Sequence, residues 1–480
     1  MESPGKSGIP ESRQLSRSLG LGLVIVMVIS NIIGSGVYKK IAPMAAELHS
    51  SGWVLVCWVV AGIISLLGSL CNAEVAGLLA DTGGDYVYYK KIYNRFFAFL
   101  FGWSLFTVIQ TAAISSLAYV FAQSLNSMVR LPPLLSSWSH YSIAGIFFPF
   151  ADLQVKLTAI LVILLFTWFN SRGIRRGAAL STVILLLVFA GIFTIIVFGL
   201  SSHQAHVAGV FNLKQDPGRP VGFRSVFTAI LSAFWAYQGW ATIGYIGGEV
   251  KNARRLIPIG MALGMALVII TYLLINTTYL SLLSIPQLEA IYQSNNGIAA
   301  VEAVRVFWGT PGVVFISLLI AMTTLGCVHA TILVSARTYF AMAREGLFFR
   351  RIGRLNDRQV PRNSLWMQGI WACLLVFSGT FDQLTDMIIF SVFLFYAATT
   401  LGVFILRVKM PQAPRTFRVW GYPVIPALVL VFCMALFVNT LFTRPREAAV
   451  GLILMFSGIP FYFWFRKKYP AQAASPDQDQ

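Results

Sequence analysis

Along the 480-residue chain, long apolar runs alternate with short polar segments that hold most of the charge. Runs bounded by charged or turn residues give about twelve candidate spans, near 20–42, 53–79, 95–128, 154–170, 178–200, 224–249, 257–283, 307–342, 363–379, 384–406, 423–443 and 447–465. At 1.5 Å of rise per residue, runs of this length fit the hydrocarbon layer as helices. The first span is interrupted at Asn31–Tyr38 (N-I-I-G-S-G-V-Y), where Gly34, Ser35 and Gly36 stand in mid-run. Glycine costs roughly 1 kcal/mol in a helix interior and loosens the backbone. Freed N–H and C=O groups persist in a membrane only against protein or a water-filled cavity. Close helix packing through small residues is the other reading of such a stretch. The sixth span carries a second candidate break, F-W-A-Y-Q-G-W-A-T-I-G-Y-I-G-G-E, from Phe234 to Glu249.

The interrupted spans are five apart, and an odd offset starts the second unit from the opposite face of the membrane. Matched breaks at that offset are what an inverted repeat produces. The expected architecture is therefore all-α and integral to a membrane, with helices 1 and 6 broken. A first five-helix unit covers 19–200, a second covers 224–406, and two further spans cover 423–465. Polar tails at 1–18 and 471–480 are expected to be disordered and cytoplasmic, with no cleavable signal.

Composition changes the picture only by excluding alternatives. Hydrophobic residues make up 57% of the chain and charged residues 11%, outside the range of soluble globular domains. The net charge of +18 is spread through the loops rather than gathered in one patch, so it carries a topology signal and not a nucleic-acid surface. With the N-terminus placed in the cytoplasm, 25 of the 36 basic residues fall in inner segments, which predicts both termini inside a multi-pass cell-membrane protein. Lys39 and Lys40 count among the outer ones. The cysteines, Cys57, Cys71, Cys327, Cys373 and Cys433, are widely spaced within spans and form neither a metal pattern nor a disulfide framework. No metal site, cofactor loop or enzyme motif stands out.

Two facing breaks can hold a free amino acid without a charged side chain, because one half-helix presents unpaired N–H groups and the other unpaired carbonyls. The N–H groups of Ser35 and Gly36 suit the carboxylate, helped by the helix dipole that follows. The carbonyls of Ile32, Trp235 and Gln238 suit the amine. Trp235 can close over the ligand as a gate, or it only packs. Ala236, Phe393 and Leu394 are candidates for an apolar side-chain pocket, Phe393 and Leu394 lying on span 10. Glu74 and Glu249 sit toward the inner side, where basic partners await them, and structural pairing or an inner gate suits them better than substrate contact. His329 can couple protons or simply hydrogen-bond to backbone.

These motifs resemble the amino acid–polyamine–organocation (APC) superfamily, and within it the L-type amino acid transporter branch with its bacterial relatives. The resemblance rests on I-I-G-S-G-V-Y at Ile32–Tyr38, A-E-V-A-G-L at Ala73–Leu78, G-G-D-Y-V-Y at Gly83–Tyr88 and E-V-K-N-A-R-R-L-I-P at Glu249–Pro258. S-A-R at Ser335–Arg337, A-R-E-G at Ala343–Gly346 and R-T-F-R-V-W-G-Y-P at Arg415–Pro423 add to it. It implies the five-plus-five inverted-repeat (LeuT-like) fold, alternating access, and transport of neutral, apolar L-amino acids by exchange or coupled uptake. A transporter for cationic amino acids or polyamines, or a channel or sensor on the same fold, is the competing expectation. The resemblance further implies that Trp235 occupies the gate position, that Val188 stands where the family often carries a lysine, and that His329 replaces a frequent asparagine. Animal members join a heavy chain through a cysteine between spans 3 and 4. Arg130–Asp152 has none, so no such partner is expected.

Overall fold

In the computed structural model, residues 20–79, 84–142, 148–172, 177–213, 221–294, 297–356 and 360–469 are described. Both predicted tails, with Gly83, Arg175, Arg176, Lys214 and Arg219, lie outside them. The described chain is helical almost throughout, and nine of its helices are long and apolar enough to cross a membrane. The protein is thus an all-α, multi-pass membrane protein with several discontinuous helices.

The first run forms α1 (Leu21–Ile32), stops, and resumes as α2 (Gly36–Lys39) and α3 (Ile41–Leu48). Next come α4 (Ser51–Leu78), the short α5 (Asp85–Ile92) and α6 (Arg95–Met128), followed by α7 (Leu153–Ser171) and α8 (Gly177–Leu200). The sixth run forms α9 (Phe223–Tyr237) and, after a break, a 3₁₀ stretch over Trp240–Glu249. The remainder is α10 (Ala253–Leu282), α11 (Ile285–Gln293), α12 (Ala299–Arg344), α13 (Arg362–Val376), α14 (Phe381–Lys409), α15 (Val424–Thr443) and α16 (Pro445–Lys468).

Burial separates the bundle's axis from its edge. The most apolar window of α6 is 94% buried, against 28% for the corresponding windows of both α15 and α16. Helix α6 therefore runs through the centre, packed against α7, α12 and α13, while α15 and α16 form a flank on α14. Helix α1 packs along α10, and α9 sits between α3 and α4.

Three features differ from the hydropathy reading. The first span does not end near residue 42, because the helix continues to Leu48 with Lys39 and Lys40 buried inside it. Helices α5 and α11 are too short and polar to register as spans. The eighth span begins earlier, at Ala299, and kinks at Gly309, whose φ of 60° only glycine adopts freely. Pro311 follows it and cannot supply an N–H to the helix ladder.

Candidate substrate site

The two breaks lie against each other, and the glycines are what let them. A Cβ on Gly36 would sit 2.5 Å from the Cα of Ala236, so α2 touches the backbone of α9 there. At Gly239, φ is +124° and a Cβ would overlap the carbonyl oxygen of Asn31. Any other residue at 239 would be strained and would also collide. Each break is therefore in backbone contact with the other.

The carbonyls freed at the first break are taken up by side chains from two other helices. The Tyr272 hydroxyl on α10 lies 3.0 Å from the Ile32 carbonyl and 2.9 Å from that of Ala236, bridging both broken helices. The Cys327 thiol on α12 faces the carbonyls of Ile33 at 3.5 Å and Ser30 at 3.7 Å. Ser35 and Gly36 open α2, so their N–H groups are among those an α-helix leaves without an internal partner. Across the gap, Gln238 is extended (φ −71°, ψ 146°), ending α9 with its own N–H on the Trp235 carbonyl at 3.4 Å. A carbonyl has two lone pairs, so those of Ile32 and Trp235 keep accepting capacity.

Between the breaks is a partly open pocket. The first break contributes Ser30 to Gly36 apart from Ile33, and the second contributes Trp235, Gln238, Gly239 and Thr242. Gln110, Ala113 and Leu117 of α6 and Cys327 and Thr331 of α12 complete the wall. No charged side chain is among them. Helix α6 makes a π-helical turn over Leu105–Ile109 immediately before Gln110, and such bulges re-aim side chains near functional sites.

Trp235 spans the site toward the end of the bundle formed by α3 and α11. Its indole Nε1 donates to Ser35 Oγ at 3.2 Å, and its ring meets Phe381 edge-on with centroids 6.1 Å apart. Behind it, the α3 end is closed by a cluster of buried and half-buried charges. Lys40 Nζ donates to Asp382 Oδ1 at 2.7 Å and Thr385 Oγ1 at 2.6 Å, and Asp386 Oδ1 stands 3.9 Å away. Arg444 joins Asp386 at 3.4 Å to Glu47 at 2.9 Å. Lys39 Nζ donates to Gln123 Oε1 at 2.7 Å, and both ammonium groups lie within 5 Å of the Phe381 ring centre.

The other sequence candidates fall elsewhere. Ala236 lies opposite Gly36 rather than in the cavity wall. Phe393 lines a separate pocket that also borders Gln238, and Leu394 is half-buried and lines neither. His329 is on the face of α12 away from the cavity, its ring between Phe166 and Phe169 of α7 with centroids 6.0 and 6.1 Å away. Val188 is buried on α8, outside the cavity wall. Glu74 is held by Arg407 through two hydrogen bonds of 2.9 and 2.7 Å, by the Val419 N–H at 2.7 Å and by Arg415 at 3.5 Å. That pairing fastens α4 to α14 and the loop beyond it. The side chain of Glu249 lies outside the described residues.

Sequence reasoning did not single out Tyr272, Cys327 or Gln110. The amide of Gln110 near the middle of an apolar span was a usable signal, since hydrocarbon disfavours unpaired polar groups. For Tyr272 there was none, because a tyrosine within a span most often packs or lies at an interface.

The family model described as "Amino acid permease" matches residues 19–464. Over 461 residues the chain is 27% identical to the "Serine/threonine exchanger SteT" of Bacillus subtilis, covering 95% of this chain and 99% of that one. It is 25% identical to the human "b(0,+)-type amino acid transporter 1" over 462 residues, 95% of this chain and 89% of the relative. With the human "Large neutral amino acids transporter small subunit 2" it shares 27% over 456 residues, 94% of this chain and 80% of the relative.

Proposed function

Because the chain belongs to the amino acid permease family, we propose that it is a secondary transporter exchanging neutral L-amino acids across a cell membrane. The observation that carries this reading is the uncharged cavity between two discontinuous helices whose backbones touch. In it the Ser35 and Gly36 N–H groups receive the α-carboxylate, and the carbonyls of Ile32, Trp235 and Gln238 receive the α-amine. Trp235 is the gate on the α3 side. The substrate side chain extends toward Ala113, Leu117 and Cys327, with Ala236, Phe393 and Leu394 forming the more distant apolar support.

On this reading the architecture is twelve spans in a five-plus-five inverted repeat, and the chain stands with the L-type branch. The excess of basic loop residues assigns both termini, and with them the α5 end, to the cytoplasm. The α3 end then faces outward, and its buried charge cluster belongs to a conformation closed to the outside. The names of the bacterial and large-neutral relatives support a neutral substrate and an exchange mode. His329, Val188 and Glu74 lie away from the cavity and take no part in substrate contact.

The test is exchange of labelled external for unlabelled internal amino acid in proteoliposomes, across all twenty amino acids with and without sodium. Efflux that requires a neutral external amino acid is expected. Flux without counter-substrate would indicate a channel, and arginine or putrescine outcompeting leucine would overturn the neutral assignment.

A further inference from the structure

A second pocket adjoins the substrate cavity, and Gln110, Gln238, Gly239 and Thr242 line both. At its far side, toward the α5 end, is Asp85, the first residue of α5 and 4% exposed. A carboxylate removed from water is costly unless a cation or several donors compensate. Asp85 has one such donor in the described structure, Asn72 Nδ2 on α4 at 3.1 Å.

The groups facing it from each packed element are few. From α4 there is Asn72, and Glu74 two residues on is committed to Arg407. From α6 the shared wall brings Phe101, Leu105, Ile109 and Gln110, none ionisable. From α14 comes Tyr396, whose ring lines the same wall. The 3₁₀ stretch contributes Ala241 and Thr242, and the side chains of Tyr245 and Glu249 lie outside the described residues. On α5 itself, Tyr89 lines the same cavity with its hydroxyl on the Phe395 carbonyl and Thr399 Oγ1, Lys90 is turned to Glu345 and Lys91 is exposed, while Asp81 lies outside the described residues.

Asn72 is suited to both protonation states. Its amide N–H₂ now faces the carboxyl, and its Oδ1 is buried without a hydrogen-bond partner. A half-turn of the amide would offer that oxygen to a protonated Asp85 O–H.

We propose that Asp85 is a proton-binding site on the inner side of the substrate cavity, occupied and emptied within the transport cycle, so that amino acid movement is coupled to protons. The site binds one proton as carboxylate plus H⁺ giving carboxylic acid, with no other bond changed. Burial raises the Asp85 pKa to about 7, so the group is protonated below neutrality and ionised above it. A proton gradient across a cytoplasmic membrane spans that range.

This inference rests on the amino acid transport reading, and one experiment separates the two. Proteoliposomes are loaded at pH 7.5, and uptake of the best-exchanged amino acid is compared with the outside at pH 5.5 and at pH 7.5, with and without a protonophore. Each protein's ratio is taken against its own uptake at symmetrical pH. A several-fold, protonophore-sensitive ratio is expected for the unmodified protein and for Asp85→Glu, and a ratio of one for Asp85→Asn. A ratio of one in the unmodified protein, or an undiminished ratio in Asp85→Asn, overturns the proposal while leaving exchange intact. Absence of exchange at symmetrical pH for every amino acid fails the transport reading instead. Should Asp85→Asn not assemble, Asn72→Leu serves. It removes the donor that favours the ionised form, and the midpoint of the ratio's dependence on external pH is expected to rise; an unchanged midpoint counts against the proposal.

Discussion

At Ser35 two roles meet in one residue on the proposed reading, which gives its N–H to the substrate carboxylate, while its hydroxyl accepts from the Trp235 indole. The two are separable. With φ at −69°, Ser35 already has the backbone angle of proline, so Ser35→Pro removes the N–H at that position with little strain of its own φ. Ser35→Ala keeps the N–H and removes only the hydroxyl. The account expects substrate binding, read by substrate-induced thermal stabilisation in detergent, to vanish in Ser35→Pro. In Ser35→Ala it persists, with affinity lowered by about 1 kcal/mol for the lost indole contact. Equal behaviour of the two variants would remove the N–H from the recognition scheme. The sequence exposed this residue because serine between two glycines in an apolar run is conspicuous. It did not expose Tyr272 or Cys327, whose roles depend on which carbonyls the folded breaks leave free. Nor did it weigh Asp85, which stands between spans and becomes significant only when α5 folds back beside Gln110.

Among the elements, the presence of discontinuous helices was legible and the segments that brace them were not. Glycines in a membrane span announce a break, and the helices do stop at Ile32 and Tyr237. That Gly36 and Gly239 are the points of mutual contact follows from tertiary packing, to which hydropathy is blind. The same blindness put Lys39 and Lys40 at the boundary of a span. A lysine can lie inside the bundle once Asp382, 342 positions away, lies beside it. Lys40 is buried and Asp382 half-buried, so removing the lysine leaves a poorly solvated carboxylate without its nearest cation. Lys40→Met is therefore expected to lower the unfolding midpoint by several degrees, and Lys40→Met combined with Asp382→Leu to recover much of the loss. If Lys40→Met leaves the unfolding midpoint unchanged, the cluster does not hold the α3 end shut.

For the whole molecule, the alternation of apolar runs and basic loops was enough to read an all-α membrane protein, because bilayer thickness fixes helix length. The cavity's composition was less accessible. The chain carries 18 acidic residues, and only the fold shows that, among the described residues, none lines the space between the breaks while Asp85 lines the chamber beside it. On the proposed reading, a cavity bounded by backbone N–H groups and by carbonyls with spare accepting capacity selects for what every amino acid shares, its α-carboxylate and α-amine, and leaves the side chain to fit by size. The measurement that tests this most directly is competition for substrate binding by the best-exchanged amino acid, its α-carboxamide and its N-acetyl derivative on the purified protein. The account predicts that both derivatives bind at least about a hundredfold more weakly, since a charge-assisted contact worth about 1.5–3 kcal/mol is lost and a buried partner is left unpaired. Either derivative competing as well as the parent amino acid would contradict backbone recognition at the two breaks.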